Sequence, residues 1–371
     1  MTAPEPIPLV DLRAQHDEVA TEVLAGFAEV LDATAFIGGP QVGAFEQEFA
    51  QYCGTTHCVG AANGTDAIEL VLRALDIGRG DEVVVPANTF IATAEAVDRT
   101  GARVVLVDCS EATLLIDPRQ VAEKITSATR AIIGVDLYGQ IAPFDELATV
   151  VDTERICLVE DAAQSQGAVR KGSGIGAAVA AAATSFYPGK NLGAYGDAGA
   201  VVCNDESLAD RVRAIGGHGG LRRYEHDLIG FNSRLDTLQA VVLRAKLRRL
   251  DGWNECRRNA AARYDELLDG VDAVQRLGTA PGNTAVWHLY PIRVADRDRV
   301  LAALHRAGIG AGIHYPQPIH LTGAFESLGY TTGDFPVAER AASSLLSLPI
   351  HPHITPEQQV RVVETLRGAI T

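Results

Sequence analysis

This 371-residue chain holds four lysines, at positions 124, 171, 190 and 246. Three lie beside other charges: Lys124 in "VAEKITS" reads as a helix surface, Lys171 in "VRKGSG" as a basic loop and Lys246 in "LRAKLRRL" as a basic helix face. Lys190 differs, because no side chain between Gly172 and Gly189 carries a charge. Desolvation favours the neutral amine, the form that condenses with a carbonyl to give a Schiff base. A turn lysine whose head reaches water fits the same local sequence. A phosphate-binding P-loop does not: it needs glycine five places before its Gly-Lys pair and Ser or Thr after it, where this chain has Thr184 and Asn191.

Two further stretches carry chemistry. Asp161 closes the apolar run "ICLVED", 29 residues before Lys190. Open α/β sheets place ligand groups at such strand ends. A carboxylate there can pair with a protonated pyridine nitrogen, or it can cap the next helix. Gln164, three residues on, can reach the same ligand. In "AANGTDAIELV", Gly64 and Thr65 stand where a strand gives way to a helix. Free N–H groups at a helix start suit a phosphate, although capping alone accounts for the stretch in isolation.

Other chemistries find less support. "KGSGIGAAV" at 171–179 is glycine-rich but is not the dinucleotide fingerprint, which argues against an NAD-linked oxidoreductase. Cysteines stand at 53, 58, 109, 157, 203 and 256 without zinc spacing and read as reduced core thiols; "HPH" at 351–353 reads as a turn, so no metal is expected. A formal charge of −15 argues against nucleic acid or an anionic membrane as the main partner. The N-terminus lacks the basic start and apolar run of a secretory signal, and no apolar segment is long enough to span a bilayer. A cytoplasmic protein is expected.

The elements that must position these residues are legible in outline. "HCVGAAN", "DEVVVPAN", "ARVVLVDC", "RAIIGVDLYG", "ICLVEDAA" and "GAVVCN" read as short buried strands, with amphipathic patterns such as "GTDAIELVLRAL" and "TFIATAEAVDRT" between them. That alternation predicts an α/β fold with a mostly parallel sheet covered on both faces. A long helix is expected from Asp236, with Gly252 as its break. "AVWHLYPIRV" and "GIHYP" read as strands, and "RDRVLAALHRAG" and "TPEQQVRVVETLRG" as helices, of a smaller C-terminal α+β domain. The expected division is an N-terminal arm and helix (1–35), a large α/β domain (36–250) and a small domain (251–371).

A strand-end acid, a helix start ready for phosphate and a lone lysine follow the order found in pyridoxal-phosphate enzymes of the aspartate aminotransferase fold. Five stretches, "EDAAQSQGA", "SFYPGKNLGAYGDAGAVV", "GFNSRLDTLQAVVLRAKL", "GIHYPQPIHL" and "SLPIHPHIT", resemble in order the motifs of the DegT/DnrJ/EryC1/StrS sugar aminotransferases, over nearly the whole chain. The resemblance implies a fold type I transferase that uses pyridoxal 5'-phosphate (PLP) and its aminated form. Lys190 would hold the cofactor covalently and shuttle protons. Asp161 would keep the pyridine nitrogen protonated, and Gln164 would approach the ring hydroxyl. Gly64, Thr65 and Ser185 would bind phosphate, and Phe90 would stack on the ring. Asn232 would reach the phosphate of a neighbouring subunit, which implies a homodimer with shared sites.

Related sugar dehydratases carry histidine at the lysine position, so Lys190 implies amino transfer from an amino acid, glutamate being the usual donor of the family. "GIHYPQPIHL" resembles members acting on a nucleotide-linked, dTDP-type 3-keto-6-deoxyhexose; 4-keto sugars and cyclitols are the alternatives. Tyr187, Tyr224, His314, Tyr315 and His320 are then substrate-side candidates, each open to a packing role instead, and Arg222 and Arg223 are candidates for the donor carboxylate. Family members often carry Gly-Asp near position 176; "GIGAAVAAA" has no acid there. Twenty-eight arginines against four lysines suggest a high-GC genome and secondary metabolism such as antibiotic amino-sugar pathways. A non-catalytic PLP-binding sensor or scaffold is the alternative from another class, and the intact Lys190, Asp161 and Gln164 argue against it.

Overall fold

The computed structural model describes residues 5–222 and 224–370. Its central sheet begins with β1 (His57–Ala61), β2 (Glu82–Pro86), β3 (Arg103–Val107), β4 (Thr129–Val135) and β5 (Cys157–Asp161). The two-residue β6 (Val169–Arg170) lies outside that sheet, which β7 (Ala181–Ser185) and β8 (Gly199–Cys203) complete. The spatial order is β1-β8-β7-β5-β4-β2-β3. From β7 to β3 every pairing is parallel, and β8 runs antiparallel between β1 and β7.

Side chains alternate across these strands and feed two cores. Val83, Val85, Leu106, Ile133 and Val159 pack on one face; Val84, Val105, Ile132 and Leu158 pack on the other. Helices cover both faces, so the strands read as continuous apolar runs. The same alternation aims Asp161 and Glu160 to opposite sides of the sheet.

Strand register then assembles a site. Ala61 is opposite Gly199, Gly199 is opposite Ser185, and Ala183 is opposite Asp161. One edge of the sheet therefore aligns the start of helix Gly64–Ala74, the serine ending β7 and the acid ending β5.

The remaining strands are β9 (Gln275–Arg276), β10 (Asn283–Thr284), β11 (Tyr290–Arg293) and β12 (Leu345–Leu348). β12-β11-β9 form an antiparallel sheet, and β10 pairs with β6. A separate apolar cluster around β11 and β12 includes Tyr264, Leu304, Val362 and Leu366. Ile7 of the N-terminal arm joins that cluster and bridges Ile309.

Several expectations need correction. The long helix breaks at Arg248–Arg249, between Thr237–Leu247 and Leu250–Leu267, and Gly252 lies inside the second. The break lets both arginines bind Glu22 of the first helix, Leu12–Ala33. Helix Pro40–Cys53 was not anticipated. "GIHYP" is irregular chain rather than strand, with one bridge from Gly312 to Ser347. Cys256 is exposed rather than a core thiol. Lys246 is not on a surface: it is 2% exposed, and its Nζ donates to the Gly193 carbonyl at 2.7 Å. Its neighbours in sequence are basic, but its own side chain turns inward, a matter of helix phase that charge content does not reveal.

Candidate functional site

A cavity of about 700 Å³ opens at the ends of β5 and β7. Gly64, Thr65, Phe90, Asp161, Gln164, Ser185, Tyr187, Lys190, His314 and Tyr315 all line it.

One end is built for an anion. Asn63 accepts from Asp66 N at 2.8 Å and caps helix Gly64–Ala74, leaving the first-turn N–H groups of Gly64 and Thr65 without helix partners. The backbone there is tightly seated. A Cβ on Gly64 would lie 2.6 Å from Ser185 Cβ, and one on Gly199 would lie 2.4 Å from Asn63 O. Only glycine lets the helix start, β7 and β8 meet this closely. The Ser185 hydroxyl accepts from Tyr187 N at 3.2 Å.

Opposite sits Asp161. Thr93 Oγ1 donates to its Oδ2 at 2.7 Å, and Ala163 N donates to its Oδ1 at 3.2 Å. Burial pushes its pKa up, while Thr93, Ala163 and the Lys190 charge favour the carboxylate. A buried acid of this kind gains by facing a cation. Gln164 is already oriented: its Oε1 accepts from Tyr138 N at 2.7 Å, and its Nε2 donates to Tyr315 Oη at 3.2 Å. Phe90 is 51% exposed and its ring lies 5.2 Å from that of Tyr315.

Lys190 enters between these groups. Desolvation lowers its pKa to about 8, against the pull of Asp161. No hydrogen bond holds its Nζ among the described residues. His314 bonds Ser347 through Nδ1 at 2.9 Å, and burial followed by the Lys190 charge lowers its pKa to about 4. It is a neutral imidazole at pH 7.

Three candidates lie elsewhere. His320 is buried and does not line the cavity, with Nε2 2.9 Å from Glu339 and its ring against Phe335, contacts of the packing alternative. Tyr224 is 79% exposed on the loop after helix Glu206–Gly216 and does not line the cavity. Asn232 is also exposed and outside it, accepting from Arg234 Nε at 3.1 Å. Arg222 is exposed near Glu225, and Arg223 lies outside the described residues.

The sequence also left residues unnamed. Thr93, one turn after Phe90, holds Asp161. His288 lines the cavity but stands in an apolar run that reads only as strand. Beneath Asp161, Asp136 and Glu160 form a buried carboxyl pair in hydrogen-bond contact, and burial followed by the neighbouring carboxylate raises the pKa of Asp136. Burial raises the pKa of Glu160 as well. Gly176 N donates to Glu160 Oε2 at 2.6 Å, which anchors the loop where the usual acid is missing.

One molecule fits these three groups together: one with an aldehyde for the amine, a ring nitrogen for the buried acid and a phosphate for the helix start. Together with the sheet order, that defines a PLP-dependent transaminase of fold type I. The chain belongs to the DegT/DnrJ/EryC1/StrS aminotransferase family, whose model matches residues 17–367. It is 45% identical over 98% of its length to the erythromycin biosynthesis sensory transduction protein EryC1 of Saccharopolyspora erythraea, covering 99% of that protein. It is also 45% identical, over 97% of its length and 95% of the relative, to the dTDP-3-amino-3,4,6-trideoxy-alpha-D-glucose transaminase of Streptomyces venezuelae. The crystal structure of S. venezuelae DesV in complex with a ketimine intermediate superposes with a TM-score of 0.96 at 44% identity, covering 98% of both chains.

Proposed function

We propose that this transaminase moves an amino group from L-glutamate to C3 of a dTDP-linked 3-keto-6-deoxyhexose in amino-sugar biosynthesis. The observation that carries the chemistry is Lys190: a desolvated amine, without a hydrogen bond among the described residues, facing a buried acid and a helix-start cradle in one cavity. The likeness to the S. venezuelae transaminase supports the 3-keto sugar over 4-keto sugars and cyclitols.

PLP when bound supplies an electron sink for the carbon that gains or loses the amino group. The chain supplies the rest. Asp161, held by Thr93, would favour a positive charge on the ring nitrogen. Gly64, Thr65 and Ser185 would hold the phosphate, Gln164 would meet the ring hydroxyl and Phe90 would pack on the ring. The Lys190 amine, neutral above about pH 8, would take a proton from the donor's α-carbon and pass it to the cofactor in the first half-reaction, and would carry one the opposite way to the sugar carbon in the second. Tyr187, His314 and Tyr315 border the space left for the hexose.

We place Asn232 at the phosphate of a second copy, in a homodimer. The loop that carries it exposes Leu221, Leu228 and Ile229, the last by 93%, and the first helix exposes Leu24 and Leu31. Such apolar exposure fits a covered face. We also propose the division into arm, large and small domains given above, supported by the separate C-terminal core, and a cytoplasmic location, in keeping with the lack of a membrane-crossing helix among the described residues.

The name of the S. erythraea relative favours one second reading, a PLP-binding sensor. The absorbance spectrum decides. Glutamate should convert the bound PLP to pyridoxamine phosphate, and dTDP-linked 3-keto sugar should restore it with a mass gain on the sugar. A spectrum unmoved by glutamate favours the sensor. Amination of 4-keto sugars or cyclitols alone would refute the position assigned.

A further inference from the structure

Asn191 follows Lys190, is 1% exposed and commits its whole side-chain amide. Its Nδ2 donates to Asn254 Oδ1 at 2.9 Å and to the Val286 carbonyl at 3.0 Å, and its Oδ1 stands 3.1 Å from His288 Nδ1. Two backbone carbonyls, which can only accept, fix every orientation in this relay. Val286 O requires an N–H from Asn191, and Gln166 O takes one from Asn254 Nδ2 at 2.9 Å. The Asn191 oxygen therefore faces His288, and Nδ1 carries the hydrogen. Burial, then the charges of Lys190 and Arg257, hold the ring neutral. A neutral imidazole protonated at Nδ1 bears a bare lone pair at Nε2.

That nitrogen has no hydrogen-bond partner among the described residues, and His288 lines the cavity that holds Lys190. An acceptor-only atom there is suited to ammonium or hydroxyl groups and unsuited to carboxylate or phosphate. Lys190 Nζ is the complementary group: a donor without an acceptor among the described residues, whose charge reaches the imidazole. A released lysine on its four-carbon stem samples many rotamers, and an acceptor narrows them.

We propose that His288 is a positioning residue whose Nε2 accepts a hydrogen bond from the Lys190 amine as that amine moves protons in each half-reaction, and that the Gln166–Asn254–Asn191 relay fixes the tautomer this requires. The assignment rests on Lys190 being the amine that moves protons. The tautomer itself does not, so the two stand or fall separately.

Nitrogen NMR of cofactor-free protein carrying ¹⁵N-histidine tests the tautomer. His288 should be neutral and protonated at Nδ1 from about pH 6 to pH 9. A hydrogen on Nε2, or an imidazolium at pH 7, would overturn the proposal. Two substitutions then divide the ring: His288→Asn keeps a donor near the Nδ1 position, and His288→Gln keeps an acceptor near Nε2. In stopped-flow measurements on the holoenzyme, His288→Asn should slow both half-reactions about tenfold or more, the size of a lost hydrogen bond to a charged group. KM for both substrates should stay within about twofold, and His288→Gln should recover most of the rate. Unchanged half-reactions would refute the role. So would a rise in KM for the sugar alone, because the acceptor would then serve a sugar hydroxyl. Should His288→Asn fail to fold, the wild-type tautomer and the His288→Gln rates still decide.

Discussion

Lys190 and Lys246 stand in regions alike by one measure and opposite by another. Burial brings each pKa down to about 8. Around Lys246 the structure is closed: its Nζ donates to Gly193 O at 2.7 Å and sits 4.8 Å from the centre of the Tyr195 ring. Around Lys190 it is open, with an acid opposite, a phosphate cradle alongside and no acceptor on the amine among the described residues. Desolvation alone makes a lysine easy to deprotonate. Only an accessible and unsatisfied amine can use that property.

The largest effect that would test this contrast is on turnover. Lys190→Ala should lower kcat by about 10³-fold or more, whereas Lys246→Met should stay within about threefold. Borohydride reduction of the holoenzyme followed by peptide mass spectrometry should fix the cofactor on Lys190 alone; label on Lys246 would end the comparison.

Next comes the acid opposite the amine. Asp161→Asn keeps the shape and removes the charge, and should cost about 10²-fold in kcat, in the range of other acid–base partners. Full activity in that variant would show that Asp161 serves only as a cap. Gly64→Ala acts on the cradle: the added Cβ would collide with Ser185, so the Kd for PLP should rise by about tenfold or more and the thermal transition should fall with it. Equal PLP affinity would move the phosphate elsewhere.

The smallest effect concerns the proton equilibrium itself. In cofactor-free protein, Lys190 should titrate near pH 8, seen by ¹³C NMR after reductive methylation or by its rate of reaction with an aldehyde. The sign is definite. Burial penalises the ammonium, so the folded pKa lies below the unfolded one, and the penalty on stability is present at pH 7 and fades as pH rises above about 8. Lys190→Met should therefore raise the melting temperature of the cofactor-free protein at pH 7 and lose that advantage at high pH. A Lys190 titrating above pH 10 would remove the likeness between the two lysines and leave geometry as the only distinction.

The strands carrying the site were legible because doubly covered strands are written as continuous Val and Ile runs. The catalytic-type residues were legible at their ends, where composition changes abruptly. Asp161, Gly64 and Lys190 stood out in this way. His288 and Thr93 did not. Each acts through a side chain brought near by packing, and nothing in "AVWHLYPIRV" or "TFIATAEAV" sets it apart from core filling. His320, open between a substrate-side and a packing role in the sequence, shows the converse. It belongs to a motif at the cavity, yet the chain turns after Pro318 and carries it into contact with Glu339.

By itself, then, the sequence determined the layered α/β fold, the lysine, the strand-end acid and the helix-start cradle, because each is set by local patterns of apolarity, glycine and charge. The tertiary structure decided which of two desolvated lysines faces open space, which histidines reach the cavity and how the His288 ring is hydrogen-bonded. Those outcomes depend on helix phase, strand register and hydrogen bonds between residues from 63 to 97 positions apart. No local pattern encodes such distances; packing alone resolves them.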